Sequence, residues 1–252
     1  MKLVRESAHQ SQGDLDYIGQ IEAYWNESPG ASVEKLESFT KFTSRQALTK
    51  FIARYEIFKM QQEINGSIVE VGVHRGASLM SWAHFSSILE PVNYLRKIIG
   101  FDTFQGFPHI GEKDSKGVSE HLIKGGFSCN EQPESDLMSA INLFDTNRLM
   151  SHIPKCEIIK GDVSQTLPLY LEENPHLLVS LLHLDADLYE PTKKTLELLL
   201  PRMPKGAIIV FDELNMKLFP GETLALLDVL PINKFFIRRF NFATSLSYLV
   251  IE

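Results

Sequence analysis

Three features of the sequence predict a doubly wound α/β fold, a mostly parallel sheet with helices on both faces. From residue 67 onward, short apolar runs alternate with segments of helical periodicity. Two of these runs, residues 177–184 and 206–211, are almost unbroken, as strands buried on both faces are. The first run, residues 68–71, ends in a glycine turn that opens a helix, which is where parallel sheets take up ligands.

The elements follow in order. Residues 1–32 are polar, broken by Gly13, Pro29 and Gly30, with a short helix expected over 16–25. Residues 33–64 turn helical, with Phe51, Ile52, Tyr55, Ile57 and Phe58 mostly at helical spacing, until Asn65-Gly66 ends the pattern. Residues 1–64 therefore read as an N-terminal helical extension and 65–252 as the main domain. After the first strand comes a helix over 77–89, then a second strand over 97–102. Residues 103–150 are rich in glycine, proline and charge and read as a lid insertion, returning to helix from about 136. The third strand is 156–160, with a short helix over 165–173 behind Gly161-Asp162. Strands 177–184 and 206–211 are each followed by a helix, 191–200 with proline at its start and 221–230. Residues 234–240 and 245–251 read as an antiparallel pair at the sheet edge.

Bulk properties narrow the partners. A net charge of −7 disfavours nucleic acid, which needs a basic face. Two cysteines, Cys129 and Cys156, are too few for a disulfide framework and read as free thiols in a reducing compartment. Residues 1–14 do not resemble a signal peptide, and no apolar run approaches the roughly 20 residues of a membrane span. A cytoplasmic protein with a small-molecule substrate is expected. The N-terminal helices and apolar C-terminal segments could supply a homo-oligomer interface.

The glycine turn reads Glu70-x-Gly72-x-x-x-Gly76. A dinucleotide fingerprint centred on Gly72 would need glycines where Glu70 and Arg75 stand. The pattern instead matches S-adenosylmethionine (SAM) sites, and a carboxylate at the strand end suits that cationic cofactor. The alternative is a structural turn with a chance acid. Asp102, ending the second strand, is placed to accept ribose hydroxyls. Asp162 ends the third, where it could take an adenine amino proton or cap the following helix, two readings of equal weight.

The strongest signal is His183-Leu-Asp-Ala-Asp-Leu-Tyr-Glu190 together with Val210-Phe-Asp-Glu213. Each tract ends a buried strand. Were the strands neighbours, about 5 Å apart, Asp185, Asp212 and Glu213 would converge. Three such carboxylates repel unless a cation lies among them, most simply Mg²⁺. Asp187, just past the strand, could reach a substrate. His183 reads as a satisfied strand histidine. His74 and Arg75 could meet the cofactor carboxylate or be solvated. Arg54 and Tyr55 are explained by packing and surface charge, and Phe101, Phe104 and Phe107 by core packing.

Residues 68–78, 100–108 and 184–192 together resemble the macrocin O-methyltransferase (TylF-type) family, in order over roughly residues 40–251. The resemblance implies a class I, SAM-dependent sugar O-methyltransferase of natural-product pathways, with a Rossmann-like seven-stranded sheet and a Mg²⁺ site. It implies metal ligation by Asp185 and Asp212 and a general-base role for Asp187. Cofactor positions fall on Glu70, Gly72, Gly76, Ser78, Asp102 and Asp162, and Thr43 falls near a threonine that approaches the cofactor. The family's usual Asp-Asp is here Asp212-Glu213, and its common serine is Pro191. Two alternatives stand beside this reading: a catechol-type O-methyltransferase using the same metal logic, and a SAM-binding protein without methyl transfer.

Overall fold

The computed structural model describes residues 11–129 and 131–252. The first ten residues, part of the polar start considered above, lie outside the described residues. The chain divides into two compact units, one ending at Lys50 and one running from Phe51 to Glu252.

In the first unit, α1 (Gln12–Glu27) starts at a reciprocal cap. Ser11 Oγ accepts the Asp14 amide at 3.2 Å, and the Asp14 carboxylate accepts the Ser11 amide at 2.9 Å. After α2 (Ser32–Glu37) the chain makes a single tight turn, Phe39–Lys41. The Phe42 ring lies against Tyr24 and Trp25, with centroids 5.4 and 4.9 Å away.

In the second unit, β1 (Ser67–Val71), β2 (Ile98–Asp102), β3 (Cys156–Lys160), β4 (Val179–Leu184), β5 (Ile208–Phe211), β6 (Arg238–Phe240) and β7 (Ala243–Val250) form one sheet. The order is β3-β2-β1-β4-β5-β7-β6, parallel through the first five and antiparallel for β7 and β6. The strand order reverses between β1 and β4, so a crevice opens there at the carboxyl ends.

Alternation along each strand divides the core. Ile68, Ile98, Leu181 and Val210 pack with α3 (Arg45–Gln61), α4 (Ala77–Leu89) and α5 (Pro133–Thr146). Val69, Ile99, Leu182 and Ile209 pack on the other face with α6 (Val163–Glu173), α7 (Tyr189–Leu199) and α8 (Gly221–Val229).

Two expected boundaries move. The compact N-terminal unit ends at residue 50 rather than 64, because Ala53, Ile57 and Phe58 of α3 are fully buried in the main core. The lid does not extend to residue 150. Leu137, Ile141 and Phe144, spaced four and three apart, make α5 a core helix and the crossover between β2 and β3. The expected covering segment therefore ends before α5, at residue 132. It has its own apolar anchor in Phe107, Leu188, Leu218 and Phe219. Phe101, Phe104 and Phe107, read as core residues, are all buried, each in a different apolar cluster.

A buried cation marks the opposite end of the sheet. Lys155 donates from Nζ to the Asn93 carbonyl at 2.7 Å, and burial lowers its pKa from 10.5 to about 8. Between those values the unfolded chain holds the extra proton, so stability rises as pH climbs from about 8 to 10.5. The penalty is present in full below 8. Lys155→Met is expected to flatten the rise in Tm between pH 8 and 10. Thermal unfolding with the same slope in both proteins would contradict the assignment.

Candidate active site

The site lies where β1 and β4 part. Gly72 continues from β1 with φ +91°, and its amide donates to the Phe101 carbonyl at 2.9 Å. A Cβ on Gly72 would stand 1.9 Å from the Asp185 carbonyl oxygen. Gly76, with φ +82°, begins α4 where a Cβ would meet Leu137 at 2.3 Å. Both glycines thus allow parts of the chain itself to close on the turn.

Asp102 ties this turn to the segment after β2. Its carboxylate accepts the His74 amide at 2.7 Å and the Phe104 amide at 2.5 Å, with capacity left on both oxygens. Asp162 is a helix cap, accepting the Ser164 amide at 2.9 Å on one oxygen. It also lines a cavity of about 330 Å³ with Thr103, Gln105, Phe107, Lys124 and Lys160. Asp162 thus caps α6 and also lines this cavity.

Of the expected cofactor positions, Glu70 is fully buried and Ser78 is 4% exposed. Glu70 lies in register with His183 on β4, and its side chain turns under α4 rather than out of the strand end. Ser78 Oγ donates to Glu70 Oε1 at 2.7 Å, and Glu70 Oε2 lies 3.3 Å from His183 Nδ1. The three form a buried chain beneath the turn. Thr43 belongs to the N-terminal unit, where its hydroxyl donates to the Phe39 carbonyl at 2.9 Å.

The acidic tracts do end neighbouring strands. Leu184 pairs with Phe211, and the Asp212 amide donates to the Leu184 carbonyl at 3.1 Å. One ligand atom each from His183, Asp185 and Asp212 lie within 4.8 Å of one another. Glu213, the expected third carboxylate, is not in that trio. Its amide donates to Glu222 Oε2 at 3.1 Å, and its charge acts on Asp187 and Glu222.

Glu222 was missed. It is fully buried in the first turn of α8, and its carboxylate also accepts the Asp187 amide at 3.4 Å. One side chain thereby spans the loops after β4 and β5. Asp187 adopts φ +62°, and its carbonyl lies so near Gly221 that a Cβ there would approach to 2.6 Å. Burial, then the charges of Asp185, Glu213, Glu222 and Asp212, push the Asp187 carboxyl well above the usual carboxylate range. Glu222 is raised too, first by burial and then by Asp185 and Glu213. No sequence motif marks Glu222; the one available signal was an acid in a helical first turn, which usually means only a favourable dipole.

The covering segment docks beside this cluster. Asp114, 1% exposed, accepts the Tyr189 amide at 2.8 Å and the Gly111 amide at 3.2 Å. Lys113 pairs with Asp228 and lies 4.0 Å from the centroid of the Tyr189 ring. Cys129 Sγ lies 3.3 Å from His74 Nε2. Both cysteines are free thiols, and burial pushes the Cys156 thiol up to about 12. Among the described residues, no helix is long and apolar enough to cross a membrane. Arg54, expected at the surface, is buried.

Comparison with known proteins agrees with this fold. The macrocin-O-methyltransferase (TylF) family model matches residues 41–221. The crystal structure of CalS11, a calicheamicin methyltransferase, superposes with a TM-score of 0.92 at 30% identity, covering 99% of this chain and 98% of that one. A second CalS11 structure, described as a TDP-rhamnose 3'-O-methyltransferase of calicheamicin biosynthesis, gives 0.83 at 28%, covering 96% of each chain. The O-methyltransferase NovP, at 18% identity and a TM-score of 0.59 over 81% of this chain and 79% of its own, shares the fold. No curated protein sequence matches the chain. With a family match over most of its length and a full-length structural relative, the chain belongs to the macrocin-O-methyltransferase (TylF) family and is an S-adenosylmethionine-dependent O-methyltransferase.

Proposed function

We propose that the chain methylates a hydroxyl of a sugar, carried on a nucleotide or on a natural product, at a divalent-cation site on the β4–β5 rim. The convergence of Asp185, Asp187, Asp212, Glu213 and Glu222 on the rim where β4 and β5 end carries this reading. The donor set fits a hard cation, for which Mg²⁺ is the natural candidate. Acids crowded this closely are destabilised without positive charge, and the ligand atoms of His183, Asp185 and Asp212 are close enough to share one ion. Asp185 and Asp212, with Glu213 beside them, would hold it. The sugar acceptor is supported by the activity of the CalS11 relative, a TDP-rhamnose 3'-O-methyltransferase.

Bound there, a divalent cation supplies positive charge that lowers the pKa of a hydroxyl presented to it. Asp187 takes the hydroxyl proton as general base. Glu222 and Gly221 hold the Asp187 backbone, so the carboxylate is aimed before substrate arrives. Asp102 has oxygens free for ribose hydroxyls, Asp162 has one for an adenine amino group, and the cavity of about 330 Å³ beside Asp162 suits a nucleoside. Residues 103–132 cover the site and exclude water, with Asp114 anchoring them to α7.

The test is an acceptor screen with SAM carrying a labelled methyl group, with and without divalent cation. Methyl transfer to nucleotide deoxysugars or glycosides, lost on chelation, is the expected result. Transfer to catechols alone would replace the sugar reading, and full turnover in chelator would remove the cation from it.

A further inference from the structure

We propose that His183 is a nitrogen donor to the cation, oriented by Glu70, so that the site is a mixed nitrogen–oxygen one favouring Mn²⁺ over Mg²⁺. This rests on the cation reading above and replaces Glu213 by His183 as the third protein donor.

The observation is an incomplete histidine. His183 has no exposed surface. Its Nδ1 faces Glu70 Oε2 at 3.3 Å, whereas its Nε2 is buried with no hydrogen-bond partner. Buried polar atoms almost always find partners, so an orphan at this position calls for a reason. The carboxylate on Nδ1 favours the tautomer with the proton on that nitrogen, leaving a lone pair on Nε2. Within 4.8 Å of the histidine's donor atom are carboxylate oxygens of Asp185 and Asp212. A buried imidazole with one unpartnered nitrogen and two carboxylates this close is well placed to share a cation with them.

The framework is rigid enough to hold this geometry. His183 and Asp185 are alternate residues along one strand direction, so their side chains leave the same face. Asp212 follows the neighbouring β5, and Leu184 lies opposite Phe211. The Trp82 ring meets the imidazole edge-on at 5.8 Å between centroids, which restrains the ring plane. Ser78 Oγ in turn fixes the other oxygen of Glu70. A carboxylate on one nitrogen of an imidazole, with the other nitrogen left without a partner, is the arrangement that orients metal-bound histidines. The chain Ser78–Glu70–His183 also explains why an acid sits in the middle of a fully buried strand.

Donor type then sets metal preference. Oxygen-only sites suit Mg²⁺, whereas imidazole favours the first-row transition ions, with Co²⁺ above Mn²⁺. The binding order is expected to run Co²⁺, Mn²⁺, Mg²⁺.

The test is pulsed electron paramagnetic resonance of Mn²⁺ bound to the full chain, without substrate. Modulation from a directly bonded ¹⁴N is expected, replaced by a ¹⁵N signal when the protein is labelled with ¹⁵N-histidine. His183→Asn, which keeps an oxygen donor, should abolish the nitrogen signal and weaken Mn²⁺ binding more than Mg²⁺ binding. Glu70→Gln should retain the signal but weaken Mn²⁺ about 10-fold or more. Mn²⁺ bound tightly without nitrogen modulation would overturn the histidine assignment and leave the cation reading standing. No Mn²⁺ or Mg²⁺ binding by calorimetry would overturn both. If the variants fail to fold, isotope labelling of the unaltered protein still decides, because His183 is the one histidine of the trio.

Discussion

Asp187→Asn is expected to lower kcat by about 10²–10⁴-fold, the range for loss of a general base, with little change in SAM affinity. Asparagine matches the aspartate in shape and tolerates the left-handed backbone at φ +62°. The amide bond to Glu222 involves the backbone and survives the change. The substitution also removes one of the acids crowding the rim, so the folded protein should be no less stable. A large kinetic loss without a stability loss separates a proton acceptor from a structural acid. Full turnover by a folded, SAM-binding variant would end the base assignment, and the proton would then have to leave through another group.

Gly72→Ala is expected to lower stability by about 3 kcal/mol or more. Strain at φ +91° is the smaller part. The added Cβ would lie 1.9 Å from the Asp185 carbonyl oxygen, and neither side can yield easily. The Asp185 amide is bonded to the Val71 carbonyl and the Gly72 amide to the Phe101 carbonyl, both at 2.9 Å. The collision also pushes directly on the backbone of a candidate ligand. Metal affinity should therefore fall along with Tm, which in a chain of this size moves about 2–4 °C per kcal/mol. Gly125→Ala is the control: φ is +78°, but nothing lies within 4 Å of the added atom. It should cost only the conformational strain, about 1–2 kcal/mol. Equal losses in the two variants would show that close packing at Gly72 contributes nothing beyond strain.

Much of the scaffold was legible because it rests on local signals. Runs such as 177–184 and 206–211 have no polar face, so they can only be central strands, and their terminal acids then lie on the ligand rim. The glycine turn shows itself through residues that the backbone geometry demands. The covering segment misled in its second half. The polar first turn of α5 and the loop-like composition before it concealed a three-residue apolar stripe, Leu137, Ile141 and Phe144.

The sequence alone determined the order of strands and helices, the acids at the ends of β4 and β5, and the family resemblance, because periodicity and short motifs are properties of neighbouring residues. Only the tertiary structure decided what each side chain faces. Glu70 and His183 are 113 residues apart, and they meet because β1 and β4 are adjacent in the sheet. Glu222 reaches Asp187 across 35 residues because α8 begins under the loop that follows β4. Such contacts depend on strand order and helix placement, which are settled when the whole core packs, and no local pattern encodes them.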